Sequence, residues 1–316
     1  MTSAQPVLVA RHAMATRFEI VLHGNNPVSL RAAGEEALDE IERLEAQLSL
    51  YQPGSEIAGL NRAAHERPVR VTPALLELLR RARALSDETH GAFDITVAPL
   101  VRCWGFMNGT GTLPDPSALE EARAKVGMCH IELDADNLTV RFKRPGVMLD
   151  LGAIGKGYAI DRAAGLLREA GMSSALLHGG TSTAYAIGRP PGGARWKIAI
   201  TPPGNDATAQ PLSVVELENE SLSVSAVWGR SFRADEKTYG HIIDPRTGVP
   251  AENALLSAVV WPGATESDAL STALLTAPEL LAEFVAHRPG IRCLVVGGTA
   301  AEPQVSVHGI EGAERF

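Results

Sequence analysis

The stretch Leu149-Asp150-Leu151-Gly152-Ala153-Ile154-Gly155-Lys156-Gly157-Tyr158 lies at the middle of the 316-residue chain. It predicts a strand that enters a glycine-rich turn and a helix that leaves it over Lys156–Ala170, with Gly171 as C-cap. Such a turn can bring backbone N–H groups and a lysine to a phosphate. The spacing is not that of a P-loop, because Asp150 replaces its first glycine and Gly157 its Ser or Thr. A phosphate site and a purely structural turn both stay open.

The sequence on either side predicts four further helical regions. Ser29–Leu48 carries apolar residues at helical spacing. Thr72-Pro73 and Asp115-Pro116 each combine an N-cap residue with proline at the first helical position, and the second helix should end near Gly127. A last helical region starts near Ser267 and is broken by Pro278.

Short strands are predicted between these helices, without a regular alternation. They are Val7–Ala10, Phe18–Leu22, Ile131–Leu133, Thr139–Phe142, Val147–Leu149, Ala175–Leu177, Lys197–Ile200, Val214–Leu217, Leu222–Val224, Leu256–Val260 and Cys293–Val296. Clustered strands with helices placed among them indicate an α+β fold. No composition break divides the chain, so we expect a single domain over residues 1–316.

Composition excludes several classes of protein. The net charge of −8 and the absence of basic runs argue against a nucleic-acid surface. No apolar stretch approaches the roughly 20 residues needed to span a bilayer. The first residues show no cationic and apolar leader, so we expect a cytoplasmic location, or the cell envelope if a leader was removed. Cys103, Cys129 and Cys293 lie far apart and predict buried free thiols, with one incidental disulfide left open.

Two polar clusters carry candidate chemistry. Tyr239–Gly248 contains the turn sequence Asp-Pro-Arg-Thr-Gly, preceded by His241, which titrates near neutrality and can accept a hydroxyl proton. A lone histidine is equally compatible with a structural or exposed position. In Ser267–Ala273, Asp268 and Thr272 stand one helical turn apart and offer hard oxygen ligands for Mg²⁺. The alternative is a helix cap, with Thr272 facing solvent.

Two further segments are ambiguous on their own. His90–Leu100, followed by Trp104-Gly105-Phe106, can be a turn, a buried strand and an aromatic core cluster. Leu50–Ile57 can be the loop after the long helix, with Ser55 capping a short helical turn.

Taken together and in order, these segments resemble the ApbE family, the FAD:protein FMN transferases. The resemblance covers about residues 12 to 276 of the chain. The matching stretches are Met14-Ala15-Thr16, Tyr51 to Asn61, Phe93-Asp94-Ile95-Thr96 to Trp104-Gly105-Phe106, Asp150 to Asp161, His241 to Gly248, and Asp268 to Thr272.

The resemblance implies an α+β fold of the ApbE, T-fold-like kind, with FAD in a cleft between two intimately packed halves. It also implies Mg²⁺-dependent transfer of FMN from FAD to a Ser or Thr hydroxyl of a target protein, with release of AMP. The target protein, and the choice between Mg²⁺ and Mn²⁺, cannot be read from the sequence.

The same resemblance implies roles for particular residues. Asp268 and Thr272 would bind Mg²⁺ together with the backbone carbonyl of Ala153, and His241 would be the base near the transferred phosphoryl group. The residues that would line the FAD site are Met14, Tyr51, Ala92, Phe93, Asp94, Asp150, Lys156 and Ile242.

Three motifs depart from the usual family pattern. Met-Gly-Thr is replaced by Met14-Ala15-Thr16, Gly-Gly-Asp by Gly179-Gly180-Thr181, and Thr-Ser-Gly by Val224-Ser225-Ala226. The predicted metal and lysine positions are kept, whereas the loops around the flavin have changed. Two alternatives to transfer therefore stay open: Mg²⁺-dependent hydrolysis of FAD to FMN and AMP, and non-catalytic FAD binding.

Overall fold

The fold is built around one large antiparallel sheet. The structure is a computed structural model that describes residues 5–109, 111–202, 210–235, 237–298 and 302–311. The strands are β1 (Val7–Ala13), β2 (Thr16–Leu22), β3 (Val69–Arg70), β4 (Ile131–Asp134), β5 (Thr139–Phe142), β6 (Ala175–Gly179), β7 (Thr183–Ile187), β8 (Trp196–Ile200), β9 (Ser213–Leu217), β10 (Ser221–Ala226), β11 (Ser231–Ala234), β12 (Lys237–Gly240), β13 (Leu256–Trp261), β14 (Arg292–Gly298) and β15 (Pro303–His308). The main sheet runs β1-β2-β6-β7-β10-β13-β14-β15, with antiparallel neighbours throughout.

Helices cover one face of this sheet. They are α1 (Pro27–Leu48), α2 (Glu56–Ala63), α3 (Pro73–Glu88), α4 (Ala98–Cys103), α5 (Pro116–Arg123), α6 (Gly155–Glu169), α7 (Ala264–Thr276) and α8 (Leu280–His287), with 3₁₀ turns at Phe106–Asn108 and Met128–His130. Helix α1 contacts β1 and α6, α6 contacts α7, and α7 packs on β10 and β13. The largest hydrophobic core lies between these helices and the sheet. The antiparallel sheet with helices on one face confirms the predicted α+β class.

The opposite face of the main sheet has a second, smaller core. Strands β8 and β9 form a separate hairpin, and its Trp196, Val215 and Leu217 pack with Leu222 and Leu256 of the sheet. Successive residues of a strand point to opposite faces, which is why β13 contributes Val259 to the larger core and Ala258 to the smaller one.

Most predicted elements are present, and one predicted strand is absent. Residues 147–149 are not a strand, because a side chain takes the place of a neighbouring strand. The Leu149 N–H donates to Asn61 Oδ1 at 2.8 Å, and Asn61 Nδ2 donates to the Leu149 carbonyl at 3.0 Å. Nor is there a buried strand within His90–Leu100, where the chain turns before α4.

Several element boundaries were predicted wrongly, and five strands were missed. Helix α5 ends at Arg123, short of Gly127, because its last turn tightens into bonds such as Val126 N–H to Arg123 C=O. The missed strands are β3, β7, β11, β12 and β15. Strand β7 lacks alternation because it is buried on both faces, and β15 begins with a proline at the edge of the sheet.

The cysteine prediction was only partly correct. All three thiols are free in the structure. Cys293 is buried, and burial raises its pKa to about 12. Cys103 is partly exposed and Cys129 is exposed, so the prediction of buried thiols was wrong for these two.

A strained two-residue turn joins β1 to β2. Ala13 pairs with Thr16, and the two residues between them, Met14 and Ala15, have φ angles of 50° and 57°. Two successive positive φ angles are typical of a type I′ hairpin turn, which favours Asn-Gly or Gly-Gly. Left-handed backbone costs a residue with a Cβ about 1–2 kcal/mol. The strain falls on the turn that the family resemblance places beside the flavin.

We expect Ala15→Gly to stabilise the protein by about 1 kcal/mol, because glycine adopts this φ without a steric cost. Urea denaturation measures the change. Ala10→Gly is the matched control on the same hairpin, where Ala10 is exposed and pairs with Glu19. It should destabilise by roughly 0.5–1 kcal/mol, since glycine weakens a strand. Equal effects of the two variants would show that Ala15 is unstrained.

Candidate active site

A single cleft collects all the residues that the sequence analysis assigned to the site. Its volume is about 730 Å³, within the range of small-molecule and cofactor pockets. The predicted residues lining it are Met14, Tyr51, Ala92, Phe93, Asp94, Asp150, Ala153, Lys156, His241, Ile242, Asp268 and Thr272. They come from the β1–β2 turn, the loops before α2 and α4, the start of α6, the segment after β12, and α7.

The glycine-rich turn folds back on itself at the start of α6. Asp150 Oδ1 accepts the Gly152 N–H at 2.8 Å, and Lys156 Nζ donates to the Gly152 carbonyl at 3.2 Å. Asp150 N–H donates to the Ile95 carbonyl at 2.7 Å, which ties this turn to the loop before α4. Burial raises the Asp150 pKa, and the Gly152 N–H and the charges of Arg230 and Lys156 oppose the rise.

Helices α6 and α7 approach each other closely at the first turn of α6. The Gly157 N–H, in the first turn of α6, donates to Asp268 Oδ2 on α7 at 3.0 Å. A Cβ at Gly157 would overlap the carbonyl oxygen of Ala264 and lie 2.8 Å from the Cβ of Asp268. Glycine is therefore required at 157 because the backbones of α6 and α7 nearly touch there. Asp268 is only 3% exposed, so it is not a solvent-facing helix cap.

A layer of hydroxyl groups joins α7 to β10. Ser267 Oγ lies 2.7 Å from Ser221 Oγ and 2.8 Å from Ser223 Oγ. One turn further along α7, Ser225 Oγ lies 2.9 Å from Ser271 Oγ and 3.2 Å from Thr272 Oγ1. We call these residues of β10 and α7 the hydroxyl layer. It fixes the face of α7 that presents Asp268 and Thr272 to the cleft, so Thr272 does not face solvent.

His241 follows β12 directly and is held by the strand opposite. Its backbone N–H donates to the Arg230 carbonyl at 3.0 Å, and its ring Nδ1 lies 3.2 Å from the same oxygen. Because a carbonyl only accepts, Nδ1 carries the proton in this contact. Burial and the nearby charge of Arg230 lower the His241 pKa, Lys156 lowers it further, and the Arg230 carbonyl opposes them. His241 is therefore neutral at physiological pH, with Nε2 as its acceptor nitrogen.

The Asp94 carboxylate accepts hydrogen bonds from its own loop and from two neighbouring segments. Oδ1 accepts the Thr96 N–H at 2.8 Å and the Thr96 hydroxyl at 2.6 Å. Oδ2 accepts the Met128 N–H at 3.1 Å and the Ser86 hydroxyl at 3.3 Å. Burial raises the Asp94 pKa, and these hydrogen bonds oppose the rise. This carboxyl group shapes the cleft wall formed by the neighbouring Phe93.

The rim and wall of the cleft also contain residues that the sequence analysis did not select. Trp228 is 37% exposed and lines the cleft beside the predicted Tyr51. Arg230, Ser225 and Glu45 line it as well. Trp228, Arg230 and Glu45 lie outside the motifs from which the site was predicted, and Ser225 was noted only as part of a changed motif.

The described ranges contain neither a preformed cluster of metal-ligating side chains nor a membrane-spanning helix. No group of three or more His, Cys, Asp or Glu side chains there is placed to hold a metal ion. No helix in the same ranges combines the length and apolar character needed to cross a membrane.

Comparison with known proteins places this architecture in a family. The sequence model of the ApbE family matches residues 14–295. The chain belongs to the ApbE family. The FAD:protein FMN transferase of Klebsiella pneumoniae (strain 342) is 31% identical over 273 residues, which are 85% of this chain and 77% of that protein. That of Treponema pallidum (strain Nichols) is 31% identical over 307 residues, 91% of this chain and 83% of that protein.

Solved structures of ApbE proteins share the fold over nearly the whole length. The ApbE protein of Thermotoga maritima has a TM-score of 0.86 at 28% identity, covering 96% of this chain and 97% of its own. The flavin transferase ApbE of Vibrio cholerae has a TM-score of 0.84 at 25% identity, covering 99% of both chains.

The three departures from the ApbE pattern differ in their structural cost. Only Ala15 has the positive φ that favours glycine. Ala226 is the last residue of β10 and pairs with Leu256 in ordinary extended conformation. Thr181 is exposed at the cleft, next to Gly180, where a Cβ would overlap the Thr16 hydroxyl. The hairpin that contains Ala15 therefore packs, through Thr16, against the turn at Gly180 that also carries Thr181.

We expect Gly157→Ala to destabilise the protein by about 1–3 kcal/mol, since the added methyl group must separate two packed helices. It should also displace Asp268 and abolish flavin-transfer activity. Urea denaturation and an assay of flavin transfer measure the two effects.

Gly165→Ala is the matched control for this variant. Gly165 lies on the same helix, and a Cβ there has no neighbour within 4 Å. This variant should be about 0.5–1 kcal/mol more stable than the parent, because alanine favours helix. If the two variants had the same stability, the proposed close packing at Gly157 would be wrong.

Proposed function

We propose that this protein transfers FMN from FAD to a hydroxyl group of an acceptor protein and releases AMP. Membership of the ApbE family supports this reaction, since the curated relatives bear the name FAD:protein FMN transferase. The observation that carries the proposal is the neutral His241, with Nδ1 held by the Arg230 carbonyl, in a cleft that also contains Lys156 and Asp268. A base, a cation and a metal-type carboxylate are what phosphoryl transfer requires.

The residues of α7 and of the turn before α6 fit a magnesium ion. The Asp268 carboxylate, the Thr272 hydroxyl and the Ala153 carbonyl are hard oxygen donors that border the same cleft. In the described residues, the Asp268 carboxylate accepts a hydrogen bond at Oδ2 alone. The Thr272 hydroxyl donates to the Asp268 carbonyl at 3.2 Å, which leaves oxygen lone pairs for a ligand. When bound, Mg²⁺ would neutralise charge on the phosphate oxygens and keep part of its water shell.

The remaining steps of the reaction follow from the chain's own residues. Nε2 of His241 takes the proton from the acceptor hydroxyl as its oxygen attacks the phosphorus of the FMN half of FAD. A new bond forms between that oxygen and phosphorus. The bond from the same phosphorus to the bridging oxygen breaks, and its electron pair leaves with AMP. Lys156, on the same side of the cleft as Asp150, binds the pyrophosphate by its charge.

The decisive assay incubates the purified protein with FAD and Mg²⁺, with and without a candidate acceptor protein. Chromatography detects AMP, and flavin fluorescence on a denaturing gel detects a labelled acceptor. We expect AMP only with the acceptor, together with labelled acceptor. AMP and free FMN without acceptor would establish hydrolysis instead. A bound flavin that stays intact with every acceptor tried would favour FAD binding without catalysis.

We expect His241→Ala to bind FAD with unchanged affinity and to release AMP about 10²–10⁴-fold more slowly, because the base is lost. The parent should lose activity as the pH falls through the lowered His241 pKa, below the ordinary 6.5, since protonation removes the acceptor nitrogen. The variant should lack this acid limb. His287→Ala, an exposed histidine on α8, is the control. An unchanged pH profile in His241→Ala would remove His241 from the mechanism.

We expect Asp268→Asn to raise the Mg²⁺ concentration for half-maximal activity at least about tenfold, because a ligand charge is removed. The amide oxygen can still accept the Gly157 N–H, so the fold should persist. Mn²⁺ binding, followed by electron paramagnetic resonance, gives a readout without turnover. Identical Mn²⁺ affinity in the parent and the variant would rule out Asp268 as a ligand.

A further inference from the structure

The hairpin β11–β12 places Arg230 directly beside His241. Its last regular pair is Ser231 with Gly240, and the bond from His241 N–H to the Arg230 carbonyl extends the ladder by one pair. Residues that face each other in an antiparallel pair project from the same side of the hairpin. The guanidinium group of Arg230 and the imidazole of His241 are therefore neighbours.

The same side of the hairpin is anchored by aromatic packing. Phe232 and Tyr239 form the next pair on this side, and their rings stack at 5.3 Å between centroids. Tyr239 also contacts Trp104 at 5.3 Å, and Phe106 contacts both Phe232 and His241. This packing holds the base of the hairpin, with Arg230 and His241, against the cleft.

Arg230 brings a positive charge to the cleft without a carboxylate partner. Nη1 donates to the Phe106 carbonyl at 3.4 Å, and no carboxylate of the described residues lies within 4.0 Å of the guanidinium group. Arg246, in the turn that follows, instead pairs with Asp244 at 2.8 Å and Glu279 at 3.4 Å. A guanidinium group has five N–H donors, so most of those of Arg230 are available to a ligand.

We propose that Arg230 binds a non-bridging oxygen of the phosphoryl group that is transferred, next to the base His241. This inference rests on the proposed function. The attacked phosphorus must lie close to His241, because the oxygen that attacks it gives its proton to Nε2. Arg230 lies beside His241 and so reaches the same phosphoryl group. Its planar fork suits two phosphate oxygens, which the point charge of a lysine does not.

The charge of Arg230 gives this contact a second effect. Before FAD binds, burial and the charges of Arg230 and Lys156 lower the His241 pKa, and Asp150 is an acidic group on which both cations act. The negative pyrophosphate offsets these cations when it binds. His241 can then accept a proton from the acceptor hydroxyl without facing two uncompensated positive charges.

The test compares Arg230→Gln with Arg233→Gln. Arg233 lies on the opposite side of the same hairpin, is exposed, and does not line the cleft. Both variants remove one positive charge from neighbouring positions. Flavin fluorescence measures the affinity for FAD and for riboflavin, which has no phosphate. Single-turnover AMP release is measured across pH.

We expect Arg230→Gln to weaken FAD binding while riboflavin binding stays unchanged, and to slow AMP release roughly 10²–10³-fold. Its acid limb should move to higher pH, because a charge that lowers the His241 pKa is gone. Arg230→Lys should restore the pH profile but only part of the rate. Arg233→Gln should match the parent in all readouts.

Two results would overturn the proposal. One is Arg230→Gln matching Arg233→Gln in FAD affinity, rate and pH profile. The other is an equal loss of FAD and riboflavin affinity together with a lower melting temperature, which indicates a structural role. If the parent binds FAD but releases no AMP with any acceptor, the proposed function fails. The comparison of FAD with riboflavin still decides whether Arg230 binds the pyrophosphate.

Discussion

The hydrogen bond from the Gly157 N–H to the Asp268 carboxylate is the constraint on which the site depends. It exists only because α6 and α7 approach until no Cβ fits between them. An aspartate buried to this extent needs a donor, since an unpaired buried carboxylate is costly. The first turn of α6 supplies one, because its N–H groups have no partner within the helix. The glycine-rich turn and the metal-type carboxylate therefore belong to one structural unit.

The electrostatics of the cleft follow from which charges are paired and which are not. Asp94 uses both carboxylate oxygens, accepting from Thr96 at Oδ1 and from Met128 at Oδ2, whereas in the described residues Arg230 and Lys156 each donate to a carbonyl group. Burial and the charges of Arg230 and Lys156 lower the pKa of His241, and the same two charges oppose the rise that burial causes in the pKa of Asp150. The cleft is thus suited to a polyanionic ligand although the whole chain carries a net charge of −8.

The sequence predicted most accurately the helices that are capped by the residue directly before them. Asn26 and Thr72 cap α1 and α3, and those helices were located closely. Helix α7 was placed three residues late, because Asp161 of α6 accepts the N–H groups of Ala264 and Thr265. When a helix cap comes from a residue about a hundred positions away, the sequence next to the helix start contains no pattern that predicts it. The absent strand at residues 147–149 has the same cause, since its partner is the side chain of Asn61.

The site residues were named from short motifs, and the structure brings them together in one cleft, while their roles remain proposals. Arg230 was missed because its importance comes from a cross-strand neighbour eleven positions away, which periodicity cannot reveal. Ser225 was noted only as part of a changed motif, and its contact with Thr272 depends on how α7 lies on the sheet.

The hydroxyl layer between α7 and β10 has a consequence for the precision of the site. An interface of interlocking apolar side chains can repack with small shifts along the helix axis at modest cost. Hydrogen bonds between short serine side chains are directional and lose most of their strength when the geometry is wrong. The hydrogen bonds of Ser267 and Ser271, one turn apart, therefore prevent α7 from sliding along the sheet or rotating on it. Asp268 lies between these two serines on α7, so its position in the cleft is fixed as well.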